Sequence, residues 1–341
     1  QIAYGEDIIS RITYAIQSQE NNTMLHRTLL GGVKRLIDET CTKTGRPVED
    51  IIDIVLVGNT AMQNFILGID PYPLSRSPFM PDDLSERTLT PDTLKLAPKS
   101  DVYIPPLIAG FVGADCVAAT LATGIHKAEE KSFLIDIGTN TEIVVGDRNR
   151  LVACSCASGP AFEGAHISQG MRAATGAIEG VWINPETLDS SIRTIDDAAP
   201  IGICGSGLID LLAEMLKNGI MDSTGRLNRI KHPRLRTNGS VYEYVVAWSE
   251  KQGQKDIAIT QLDIRELQKG KAAIYSGSHI AMNRLNLSPK NINNVYMAGA
   301  FGTYIDMQSA QTIGMIPEFT QNNIHQVGNA AGTGARMMLL S

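Results

Sequence analysis

A pattern that occurs twice in one chain constrains its fold more than any single motif, because two like segments are read as two copies of one supersecondary unit. Residues 27 to 44 place Leu29, Val33, Leu36 and Ile37 on one helical stripe. After GRPVEDI comes IDIVLVGNTAMQNFIL, residues 52 to 67, a buried strand followed by a glycine and small residues that open a helix. Residues 264 to 287 are again helical in pattern, and after SPKNI comes NNVYMAGAFGTYID, residues 293 to 306, in the same order. IAGFVGADCVAATLATGI (108 to 125) and QVGNAAGTGARMMLLS (326 to 341) read as glycine- and alanine-rich helices that follow the two units. The economical reading is a duplicated α/β half-fold, with domains at 1–125 and 126–341.

The second copy is preceded by two strand segments, FLIDIGTNTEIVVGD and RLVACSCA, whereas the first opens directly at YGEDIISRITYAI, a helical pattern. The expectation is a first domain that lacks its opening hairpin and third strand. Residues 219 to 262 read as an insertion in the second copy, with YEYVVAW and DIAITQLDI as strands around a polar hairpin.

Charge excludes some partners. A net charge of -6, with no block of Lys and Arg, offers no electrostatic support for nucleic acid or an anionic membrane. Tyr103 to Ile125 is apolar enough to test as a membrane span, but Pro105 and Pro106 bar an earlier helix start and Asp115 would sit near the midplane. With no signal peptide pattern, a cytoplasmic protein is expected. The five cysteines include no C-x-x-C pair, so reduced thiols are expected, with Cys154 and Cys156 on one strand face.

The chemistry concentrates in FLIDIGTNTEIVVGD, residues 133 to 147. Two apolar strands are joined by Gly138, Thr139, Asn140 and Thr141, a tip able to cradle phosphate oxygens with backbone N–H groups and hydroxyls. Asp136 at the strand end would then face a phosphate-bound Mg²⁺ through water. An Asn/Thr hairpin turn with a capping Asp fits the same residues. A strand-to-helix turn at Gly299, Ala300, Phe301 and Gly302 leaves room for a flat ligand, and Gly205, Ser206 and Gly207 open an amphipathic helix. Such glycines also serve packing or capping.

The order of these elements resembles the acetate and sugar kinase, heat-shock chaperone and actin superfamily, whose two duplicated domains clamp ATP between them. That resemblance implies a water-positioning acid nine residues before a glycine, and Asp115 stands nine before Gly124. YGEDIISRI, VLVGNTAMQNFILGI, PPLIAGFVGAD, CSCASGPAFEGAHISQGMRAATGAIE, GICGSGLID, TQLDIRELQKGKAAI and MAGAFGTYID are similar to the C-terminal ATPase part of the reductive activators of corrinoid-dependent enzymes. The resemblance implies ATP or ADP with Mg²⁺ as cofactors, a corrinoid protein as partner, a homodimer, and coupling of ATP hydrolysis to Co(II)-to-Co(I) reduction. Its [2Fe-2S] cluster is expected only in an N-terminal domain outside this sequence. Glu163 is a second acidic candidate, for which a loop hydrogen bond is the plainer role. The rival expectations are a small-molecule kinase of the same superfamily and a nucleotide-dependent partner-binding module without turnover.

Overall fold

Short polar side chains and glycines set the helix ends. Asp7 caps α1 (Ile8–Ala15) by accepting from the Ser10 amide, and Ser18 does the same for α2 (Gln19–Thr44) from Asn21. Gly45 ends α2 with φ +66°, a left-handed conformation that costs glycine nothing. The computed structural model describes residues 4–5, 7–249, 255–299, 302–319 and 323–341, the side chain of Thr303 excepted. These fall into two compact units.

The first unit comprises Gln1–Asp136, Val144–Ser155 and Asn329–Ser341. Its sheet has the order β1-β3-β2, with β1 (Asp53–Val55) parallel to β3 (Asp101–Ile104) and β2 (Arg87–Leu89) antiparallel to β3. α3 (Thr60–Leu67) follows β1, capped by Asn59, and α4 (Pro91–Leu94) is a single turn. Phe65 and Ala61 of α3 join Ile8, Ile12 and Leu25 in one buried cluster, while Ile66 meets Val102 and Ile104 in another. α5 (Ala114–Thr123) and α9 (Ala330–Leu339) cross closely: a Cβ on Gly334 would lie 1.9 Å from the Ala118 carbonyl oxygen.

Two expected helices are shorter than their composition suggests. Residues 108 to 113 form a loop, and α5 begins only at Ala114. The segment from 326 divides: β14 (Ile324–Gly328) ends in a glycine, and Asn329 caps α9 by accepting from the Gly332 amide.

The second unit comprises Ile137–Ile143 and Cys156–Gly328. The hairpin is thereby divided, since β4 (Ser132–Ile137) and β5 (Thr141–Asp147) have their bodies in the first unit and their joining tip in the second. β6 (Arg150–Cys156) follows next to β5 and belongs to the first unit up to Ser155. β7 (Ala177–Ile183) lies between antiparallel β8 (Ser190–Thr194) and parallel β9 (Gly202–Ile203), and buries Ile178 and Val181. α6 (Gly205–Lys217) packs on β7 with Leu208, Ile209, Leu211 and Leu212 buried. β13 (Asn294–Ala298) runs parallel to β14, and α8 (Met307–Thr312) is short.

Residues 219 to 262 do contain a small antiparallel sheet, β10 (Leu235–Asn238), β11 (Val241–Ala247) and β12 (Ile257–Thr260). The hairpin expected between its last two strands lies largely outside the described residues. The second expected strand stops at Thr260 rather than running through QLDI, because Thr260 and Asp263 form a capping box that starts α7 (Gln261–Asn283). Buried Asp263 also accepts from the Ser168 amide (2.7 Å) and hydroxyl (2.9 Å). Asp263→Ala removes a cap and orphans Ser168, so it is expected to cost on the order of 3 kcal/mol, read by denaturant unfolding. A loss below about 0.5 kcal/mol would contradict that network.

Candidate functional site

In the first unit, Asp115 occupies the first turn of α5. That turn is docked on the loop after β1: the Asp115 amide donates to the Gly58 carbonyl (3.3 Å), and a Cβ on Gly113 would lie 2.4 Å from the Gly58 oxygen. Glycine at 113 lets the helix end come this close. The Asp115 carboxylate accepts from the Cys116 amide (2.8 Å), and burial pushes its pKa up. Asp136, one residue from the end of β4, is pushed up to about 6, chiefly by burial and next by the charge of Asp115. Two partly buried carboxylates that repel each other favour a bound proton or an outside cation. Among the described residues no group of three or more His, Cys, Asp or Glu is arranged to hold an ion. Mg²⁺ seldom needs such a cage, being bound through one or two carboxylates, water and phosphate, so this pair fits it. The cysteines form no such group either, and a [2Fe-2S] cluster does not fit the residues described here.

In the second unit, the hairpin tip is braced by the turn after β6. The Thr139 hydroxyl donates to Glu163, at the end of the short helical turn Pro160–Glu163. Glu163 therefore meets the tip across 24 residues of sequence. Behind it lies a cavity of about 460 Å³, within the roughly 300–1,000 Å³ of small-molecule sites. Glu163, Arg172, Glu179, Gly205, Ser206 and Tyr304 contribute to its wall. Ser206 and Gly205 are the first residues of α6, and the Cys204 side chain makes no cap to the helix, so first-turn N–H groups stand where an anion or polar ligand is favoured.

Not every glycine in these motifs serves a ligand. Gly207 is pressed against the sheet, with a Cβ position 2.2 Å from the Ile178 oxygen, which is a packing role. Gly299 has φ +92° and donates its N–H to the Gly328 carbonyl (2.9 Å), so that turn needs glycine for its backbone. Gly302 has ordinary space around it, and Ala300 and Phe301 lie outside the described residues. Arg172, Glu179 and Tyr304 carry no sequence signal that marks them as wall residues, apart from Tyr304 standing two residues past Gly302.

A model of the C-terminal domain of RACo, the ASKHA domain, matches residues 130–341, and a model of the RACo middle region matches residues 1–128. The chain belongs to the RACo family. The corrinoid activation enzyme RamQ of Eubacterium limosum is 37% identical over 356 residues, covering 100% of this chain and 59% of RamQ. A reductase of Methanosarcina barkeri, described as acting on the Co(II) methylated amine-specific corrinoid protein, is 29% identical over 260 residues, covering 70% of this chain and 44% of its own. Among solved structures, a reductive activator for corrinoid, iron-sulfur protein superposes with a TM-score of 0.88 at 40% identity, covering 100% of this chain and 55% of that one. This RACo family chain thus spans a little over half the length of RamQ and of the solved activator. Its fold is the duplicated, actin-like α/β fold that ASKHA denotes. Among the described residues no helix is long and apolar enough to cross a membrane.

Proposed function

We propose that this chain is the ATPase part of a reductive activator of a corrinoid protein, binding ATP and coupling its hydrolysis to Co(II)-to-Co(I) reduction of that partner, the electron coming from an iron-sulfur donor outside the residues of this chain. The proposal keeps domains at 1–125 and 126–341, with the insertion at 219–262. What supports it most is the pairing of Asp115 with Asp136, two carboxylates with raised pKa, in a RACo family chain whose next residues form the hairpin tip.

In this reading the tip from Gly138 to Thr141 holds phosphate oxygens, and the cavity beside Gly205, Ser206 and Tyr304 takes the nucleoside. Asp136 would hold Mg²⁺ through water, and the ion when bound neutralises phosphate charge. Asp115 orients the attacking water and accepts its proton as the water oxygen bonds to the γ-phosphorus and the bond to the β,γ-bridging oxygen breaks. Its burial raises its pKa and so makes it a stronger base.

The test is calorimetric titration of ADP and ATP, with Mg²⁺, into the chain and its Asp136→Ala form, followed by a phosphate-release assay. Binding is expected, weakened at least tenfold by Asp136→Ala because a charge-assisted contact contributes roughly 1.5–3 kcal/mol. Where release is measurable, Asp115→Asn is expected to slow it about 10²–10⁴-fold. No heat with the unsubstituted chain sinks the reading, and transfer of phosphate to a metabolite hydroxyl would favour the kinase instead.

A further inference from the structure

Ser158 has no part in the chemistry above, yet it is 5% exposed and its one hydroxyl meets three groups of the hairpin tip. Its Oγ lies 2.8 Å from Thr141 Oγ1 and donates toward the carbonyl oxygens of Gly138 (3.2 Å) and Thr139 (3.3 Å). A hydroxyl has one proton and two lone pairs. All three contacts are met when Thr141 donates to Ser158 and Ser158 shares its proton between the two carbonyls.

The consequence follows from peptide geometry. In a planar trans peptide the C=O of one residue and the N–H of the next point in opposite directions. Holding the Gly138 and Thr139 carbonyls toward Ser158 turns the N–H groups of Thr139 and Asn140 to the other side. Consecutive amides facing one way make an anion-binding concavity. Among the described residues neither amide is a donor in a loop or turn hydrogen bond.

Ser158 is itself held. Gly270 of α7 packs so tightly that a Cβ there would lie 2.7 Å from the Ser158 carbonyl oxygen and 2.9 Å from the Phe162 ring. Asp263, seven residues earlier and about 10 Å along the helix, grips Ser168. α7 thus anchors the segment from Ser158 to Ser168 at both ends.

We infer that Ser158 is a positioning residue that aims the Thr139 and Asn140 amides at a nucleotide phosphate; the inference rests on the nucleotide reading above. A serine that merely fills the core would affect the whole second unit evenly.

The experiment compares Ser158→Ala with the unsubstituted chain by titration with MgADP and with adenosine, and by backbone amide chemical shifts in NMR. Ser158→Ala is expected to weaken MgADP about tenfold, to leave adenosine within twofold, and to move backbone amide chemical shifts only around residues 138–141. Unchanged MgADP affinity, or equal losses for MgADP and adenosine, overturns the inference. If the unsubstituted chain binds no MgADP, the nucleotide reading has failed, and the amide shifts alone decide whether Ser158 holds the tip: shifts at residues 138–141 that do not move overturn it. Should alanine fail to fold, the near-isosteric Ser158→Cys, a weak donor, is expected to show the same selective loss.

Discussion

In metal-free buffer at pH 8, Asp136→Asn is expected to melt several degrees above the parent chain, and at pH 4 at the same temperature. The folded pKa of Asp136 is about 6 against an ordinary value of 3.8, raised by burial first and by Asp115 second. A carboxyl raised in the folded state contributes its stability fully below the unfolded pKa and loses it as pH rises through the folded one. The window is therefore pH 4 to 6, and the penalty above it is on the order of 3 kcal/mol. Asparagine carries no charge and escapes it, which corresponds to roughly 5–10 °C in a unit of this size. Equal melting points at pH 8 and pH 4 would contradict a charged, buried Asp136. Added MgADP should reverse the order, because a ligand that needs the charge stabilises only the parent. Stability given up at a buried carboxylate and recovered on binding is the usual trade at functional sites.

The second large effect is steric. Gly334→Ala is expected to lower the melting temperature by about 10 °C, because the new methyl would lie 1.9 Å from the Ala118 oxygen and 2.4 Å from its carbonyl carbon. Both are backbone atoms that no rotamer change can move aside. α9 must back away from α5, forfeiting packing along the crossing, and overpacking of this kind costs about 3 kcal/mol or more. Gly31→Ala in α2 is the control of opposite sign: nothing lies within 4 Å of its Cβ position, so it should stabilise by roughly 0.5–1 kcal/mol. A Gly334→Ala protein that melts within about 2 °C of the parent would show that the helices do not meet this closely.

What could be read from the sequence was local, and what could not was contact across distance. The strands of the hairpin and the polar tip stand in fifteen consecutive residues, so alternation and turn chemistry expose them. Asp115 and Asp136 could each be named, but their mutual repulsion depends on where α5 and β4 come to lie. Thr139 and Glu163 could likewise be named, yet not their hydrogen bond. Ser158 looked like any loop serine, because its three partners precede it by 17 to 20 residues. The T-x-x-D of residues 260 to 263 is itself a helix-start signal, and it overrides the strand pattern that continues into QLDI. The Gly-Ala richness at 108 to 125 and from 326 misled in another way: small residues suit close helix crossings, but they say little about where a helix begins.

α7 has a mechanical side as well. Its 23 residues make a rod about 35 Å long, and Gly270, pressed on Ser158 and Phe162, sits 13 residues or roughly 20 Å from its end at Asn283. A tilt of about 2° about that point would move Asp263, about 10 Å away on the other arm, by roughly 0.4 Å and Asn283 by roughly 0.7 Å. The longer arm therefore about doubles whatever displacement the Asp263–Ser168 bond tolerates, and delivers it to the turn that feeds β13.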